Sequence, residues 1–218
     1  METGFYGPEL DTGAAGLVGT VATSSSDWRR SLPVLANGDV TLRELELSDA
    51  PSLLTMLSTE EVTRFISPPP TTIEGFERFI EWTHQQRAVG RCIVFGIVPR
   101  GMSVAVGLIQ VRSLEPRFST AEWGFALGSP FWGTGLFMEG AQLLVDFAFD
   151  IVGIHRLEAR ASTRNGRGNG VLRKLGALPE GVLRRSFLRH GEYHDQVLWA
   201  ILETDWRQAR EPWGETVH

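Results

Sequence analysis

The chain has 218 residues, enough to bury the core of one domain and still carry extensions. Its 21 Lys and Arg against 26 Asp and Glu give a net charge of −5, which speaks against a nucleic-acid binder and suits a cationic substrate. The single cysteine, Cys92, excludes an internal disulfide and a cysteine-built metal centre.

Cys92 lies in an apolar run and reads as a buried thiol. The histidines His84, His155, His190, His194 and His218 form no metal-ligand pair on one helix face, so no metal is expected. No apolar run approaches membrane-spanning length, and the N-terminus lacks a charged-then-apolar leader. A cytoplasmic protein is therefore expected, with no nucleic-acid or membrane partner.

In chain order, residues 1–33 are rich in Gly, Ala, Ser and Thr and read as an extension anchored by Trp28. A domain is expected over 34–205 and a polar tail over 206–218. Residues 40–45 alternate as a first strand. Ser48 and Asp49 offer an N-cap to a helix with Leu53, Leu54 and Leu57 on one face. The run Ser67-Pro68-Pro69-Pro70 blocks regular structure. A second amphipathic helix runs from Thr72 to near Gly90, followed by strands over 92–98 and 104–111.

Residues 121–127 alternate as a fourth strand that ends at Gly128-Ser129-Pro130. Next come Phe131-Trp132-Gly133-Thr134-Gly135 and a helix with Leu136, Leu143, Leu144, Phe147 and Ala148 at helical spacing. Glycines at a helix start let the backbone approach a ligand and leave N–H groups pointing outward, a geometry suited to phosphate. The same Gly-x-Gly also suits a plain tight turn. A fifth strand covers 155–161; the glycine-rich run Asn165-Gly166-Arg167-Gly168-Asn169-Gly170 follows, then a short helix with Val171, Leu172 and Leu175 on its apolar face. Strands over 182–188 and 196–202 close the domain. The expected fold is α/β: a mixed, largely antiparallel, seven-stranded sheet flanked by helices. Strands four and five should form a right-handed parallel crossover.

Several motifs in order carry a family resemblance. They are Glu122-Trp123-Gly124-Phe125; Trp132-Gly133-Thr134-Gly135 with Glu139; and His155-Arg156-Leu157-Glu158. Asn165, Leu172, Lys174-Leu175-Gly176, Glu180-Gly181-Val182-Leu183-Arg184, Gly191 and Asp195 follow. Over about residues 38 to 204 the chain resembles the GNAT superfamily of acyl-CoA-dependent N-acyltransferases, and within it the ribosomal-protein N-terminal acetyltransferases (the RimJ/RimL type).

The resemblance implies a sheet splayed between strands four and five, with acetyl-CoA or another acyl-CoA as co-substrate. Its pyrophosphate would lie on the amides of Trp132, Gly133, Thr134, Gly135, Leu136 and Phe137. The thioester would lie in the gap beside Phe125, Ala126 and Leu127, where amides near Ala126 and Leu127 polarise its carbonyl. Asn165 would bond the pantetheine, and Asn-Gly is equally a turn. Gly168 stands where this branch usually has a serine near the sulfur. Phe137 stands where a small residue is usual, so it either crowds the phosphates, lines the cleft or joins the core.

Glu122, on the strand bordering the cleft, is the candidate general base through a water; a solvated or salt-bridged strand glutamate is the other reading. The expected reaction is direct transfer of an acetyl group to a primary amine in a ternary complex. The acceptor is a protein N-terminal α-amine, with a polyamine or antibiotic amine as alternatives. A non-catalytic acyl-CoA sensor on the same fold, and a homodimer built by the termini, are the remaining readings.

Overall fold

The structure is a computed structural model that describes residues 27–210. Residues 1–26 of the expected extension and 211–218 of the expected tail lie outside the described residues. The strands are β1 (Leu35–Asn37), β2 (Val40–Glu44), β3 (Cys92–Pro99), β4 (Gly107–Ser113), β5 (Thr120–Leu127), β6 (Arg156–Ser162), β7 (Leu178–Arg189) and β8 (Glu192–Leu202). The helices are α1 (Ala50–Leu57), α2 (Glu60–Thr63), α3 (Ile73–Ala88), α4 (Leu136–Phe147), α5 (Gly166–Lys174) and α6 (Glu203–Gln208).

The strands form one sheet in the order β1-β2-β3-β4-β5-β6-β8-β7. Every neighbouring pair is antiparallel except β5–β6, which is parallel and crosses over through α4. The sheet has eight strands rather than the expected seven. The addition is β1, three residues too short and too exposed to show an alternating pattern, which pairs Leu35 with Leu42 on β2.

Helices cover both faces, and β3 shows why it reads as a continuous apolar run. Cys92, Val94 and Val98 lie under α1 and α3 with Leu53, Phe76 and Phe79. Ile93, Phe95 and Ile97 face the other way, with Ala141, Leu144 and Phe147 of α4. The Phe95 and Phe147 rings meet edge-on at 5.3 Å. Burial pushes the Cys92 thiol up to about 12, as suits an inert core thiol.

Both ends of the described chain pack on this core. Trp28 is buried and meets Phe118 edge-on at 5.4 Å. The expected boundary after residue 205 falls inside α6, where Trp206 is buried and its indole N–H donates to Asp146 at 2.8 Å.

Asp49 does not cap α1 through its side chain, as the sequence predicted. It is fully buried and accepts both Arg43 Nη1 and Nη2 at 2.8 Å. The amides of Glu46 and Ala105 also donate to it, each at 2.8 Å. One carboxylate thus ties β2, the start of α1 and the approach to β4. Burial opposes its charge, but the Arg43 hydrogen bonds and the two amides outweigh burial and hold its carboxyl below the ordinary range.

A depressed carboxyl contributes stability above its unfolded value of about 3.9 and loses it as pH falls through the folded value. Urea midpoints should therefore drop steeply below about pH 4. Asp49→Asn should flatten that drop and cost about 3 kcal/mol at pH 7 by leaving Arg43 without its carboxylate. Parallel pH curves for both proteins would exclude this role.

Candidate functional site

β5 and β6 pair over three rungs only: Thr120 with Arg156, Ala121 with Leu157 and Glu122 with Glu158. Beyond Glu122 the two strands part, because each stays with its other neighbour. β5 remains on β4 up to Leu127 opposite Gly107, and β6 remains on β8 up to Ser162 opposite Gln196. The result is a V-shaped gap with Glu122 at its vertex.

The register decides which backbone groups face the gap. Leu114 N–H donates to Thr120 O at 2.9 Å, and Gly128 N–H to Val106 O at 3.0 Å. Alternate residues of an antiparallel pair exchange such bonds. Thr120, Glu122, Gly124, Ala126 and Gly128 therefore turn their backbone groups to β4. Phe125 and Leu127 turn theirs into the gap. The Leu127 carbonyl there accepts the Trp132 indole N–H at 2.8 Å. Ala126 lines the gap, but its amide belongs to the β4 ladder; Phe125 is the position that complements Leu127.

A cavity of about 360 Å³ opens from this gap. Its walls are Phe125, Ala126 and Leu127 of β5; Phe131, Trp132, Gly133, Gly135, Phe137 and Met138 of the glycine segment and α4; and Asn165, Gly168 and Val171 around α5. Val62, Phe65 and Ile66, in and after α2, cover it. A recess of about 40 Å³ continues toward the vertex between Trp123, Gly124 and Phe125 on one side and Ala159, Arg160 and Ala161 on the other.

Gly133 and Gly135 have φ of 78° and 92°, in the left-handed region that favours glycine. A Cβ built on either meets no heavy atom within 4 Å, so the space above them is open. Among the described residues the amides of Gly133, Thr134 and Gly135 find no acceptor, and α4 begins at Leu136 without a side-chain cap. The donor set is thus a row of outward amides on a helix N-terminus, which fits an anion such as a pyrophosphate. Thr134 and Leu136 shape the segment without lining the cavity. The Thr134 hydroxyl donates to Phe131 O at 2.8 Å, and Leu136 is buried in the core.

Phe137 lines the cleft. Its ring lies 4.1 Å from that of Phe125, which lies 5.5 Å from Trp123, so a row of rings runs from the cavity to the recess. Asn165 caps α5, its Oδ1 accepting Gly168 N–H at 2.9 Å. A Cβ on residue 168 would stand 2.6 Å from Asn165 Nδ2, which accounts for glycine there in place of serine. Two cations at the cavity, Arg167 and Lys174, were not singled out as site residues from the sequence. The Arg167 guanidinium lies 3.7 Å from the Trp132 ring centroid. The helix was expected to start near Val171; it starts at Gly166, so Arg167, Val171 and Lys174 share one face.

Glu122 is 1% exposed and accepts Arg112 Nη2 at 2.9 Å, with Arg160 Nη1 at 3.6 Å. It stands behind the recess rather than in the cavity wall, and Arg160 lies between them.

The model of the acetyltransferase (GNAT) domain matches residues 39–178. Among curated relatives, "Uncharacterized N-acetyltransferase p20" of Bacillus licheniformis is 27% identical over 77% of this chain and 94% of its own length. The "[Ribosomal protein uS5]-alanine N-acetyltransferase" of Escherichia coli is 25% identical over 62% of this chain and 71% of its own. A solved structure, Mycobacterium smegmatis RimJ in complex with CoA-disulfide, superposes with a TM-score of 0.69 at 21% identity over 76% of this chain and 83% of that one.

Asn165→Ala should lower stability by about 1 kcal/mol through loss of the α5 cap, and Asn165→Ser should restore most of it. Urea titration of the three proteins tests this; equal midpoints would remove the capping role.

Proposed function

The chain belongs to the GNAT acetyltransferase family and is an N-acetyltransferase, and on that premise we propose that it passes the acetyl group of acetyl-CoA directly to a protein N-terminal α-amine. The observation that carries this reading is the gap between β5 and β6, with the Phe125 and Leu127 amides on one wall and the glycine-led α4 N-terminus at its mouth.

In this reading the outward amides around Gly133 and Gly135 hold the pyrophosphate, helped by the α4 dipole. Arg167 and Lys174 add charge at the same mouth. The thioester reaches inward so that the 40 Å³ recess receives the acetyl group. Attack by the amine forms the C–N bond, and the charge that develops on the carbonyl oxygen is met by a β5 amide, an interaction worth about 3 kcal/mol. The C–S bond then breaks, and the sulfur leaves with the electron pair and takes a proton from water. The nitrogen loses its proton through water toward Glu122, which Arg112 and Arg160 keep at the vertex.

An α-amine, with a pKa of about 8, is far more often neutral at pH 7 than a lysine amine at about 10.4. That difference favours N-termini, as does the likeness to the uS5-alanine enzyme.

Release of CoA thiol from acetyl-CoA, on peptides with free and with blocked N-termini, tests the activity; no release on any free amine would overturn it. Gly135→Val should raise the KM for acetyl-CoA at least tenfold, about 1.4 kcal/mol of binding, because a side chain would stand over the amides. Glu122→Gln should lower kcat by roughly a hundredfold with little change in that KM. The same variant should lose about 3 kcal/mol of stability as two half-buried arginines lose their buried carboxylate. Unchanged turnover across pH would take Glu122 out of the mechanism.

A further inference from the structure

Arg160 borders two spaces. On one side it closes the recess at the inner end of the cleft, and on the other it lines an open depression with Leu183, Arg184, Arg185, Ser186 and Asp195. The depression therefore begins where an incoming amine would stand.

Its floor is a built irregularity. The β7–β8 register shifts between Leu183 and Phe187, and Arg185 adopts a left-handed φ of 52° without being glycine. Asp195 Oδ1 accepts the Arg185 amide at 2.7 Å, and the Ser186 hydroxyl lies 3.0 Å from both Leu183 O and Gln196 Oε1. Arg189 Nη2 donates to Thr63 O at 2.8 Å and ties the hairpin to α2.

Three arginines, Arg160, Arg184 and Arg185, outnumber the one carboxylate, Asp195, in the lining. Arg184 and Arg185 are exposed and make no ion pair among the described residues; the Arg185 guanidinium lies 5.8 Å from the Tyr193 ring centroid. Glu122 is shared by Arg112 and Arg160, and Asp195 is engaged by a backbone amide. Nearby Glu192 faces Arg164, and Glu180 is held by Arg156. A chain of net charge −5 thus concentrates cations beside its reaction centre.

We propose that this depression selects acceptors whose amine carries a carboxylate or phosphate nearby, held by Arg184 and Arg185 with Arg160 completing the positive field. The proposal rests on the reading of the cleft as an acetyl-transfer site, and it reverses the preference for cationic acceptors that the net charge suggests.

The test uses the full-length protein with acetyl-CoA. Acceptors are an alanyl peptide with Asp and Glu at its second and third positions, the same peptide with Lys there, glutamate, phosphoethanolamine and spermidine. Thiol release gives KM, and calorimetry in the presence of CoA gives peptide affinity independently of turnover. The acidic peptide or the anionic small amines should show a KM at least tenfold below the lysine peptide and spermidine, rising with salt. Which anionic acceptor leads distinguishes a peptide source from a small molecule. Arg184→Glu should abolish the preference in both readouts without moving the KM for acetyl-CoA, and Arg184→Lys should recover most of it. Equal use and equal binding of acidic and basic acceptors, or a preference that survives Arg184→Glu, overturns the proposal and leaves the transfer reading standing. Selective binding lost in Arg184→Glu, with no thiol release on any amine, upholds the depression and overturns the transfer reading.

Discussion

Everything at the site depends on two strands that stop pairing. β5 stays with β4, β6 stays with β8, and the parallel contact between them ends at Glu122. A closed sheet there would use the Phe125 and Leu127 backbone groups in a ladder. The open one leaves them facing a cavity, in a protein where most buried backbone groups are paired. The pleat then sorts the residues. Trp123, Phe125 and Leu127 stand on the α4 face, while Glu122 of β5, with Arg112 of β4 and Arg160 of β6, stands on the other face of the sheet.

The vertex of the gap carries the Arg112–Glu122–Arg160 cluster, in which a buried carboxylate meets two half-buried arginines. Burying ions is costly, and a hydrophobic replacement often serves stability as well or better. Their presence at the last rung, one residue from the recess, is therefore more informative about chemistry than about folding. The Arg43–Asp49 pair contrasts with it. Asp49 has four hydrogen-bond donors, stands far from the gap in the fold's connectivity, and has a plain structural role.

The elements with strong local patterns were legible. The β3 run, the α3 period and the glycine segment before α4 read correctly because neighbouring residues carry the signal. β1 and the early start of α5 did not. β1 is three residues held by pairing with β2, and α5 begins among glycines that argue against a helix until Asn165 caps it. Arg167 and Lys174 were hidden with that boundary, since a shared face appears only when the helix start is known.

The sequence by itself determined the class of fold, the glycine-led helix start and the motif order that marks the family, since periodicity, turn chemistry and spacing are local properties. Tertiary structure decided the rest. Which β5 amides face the gap depends on register with β4. Whether Phe137 crowds a ligand or stacks on Phe125 depends on packing across two elements. Whether Glu122 is solvated or held by Arg112 and Arg160 depends on strands far apart in the chain. The net charge of −5 is a sum over the whole surface, whereas an acceptor meets only the field of the few arginines that folding places beside it.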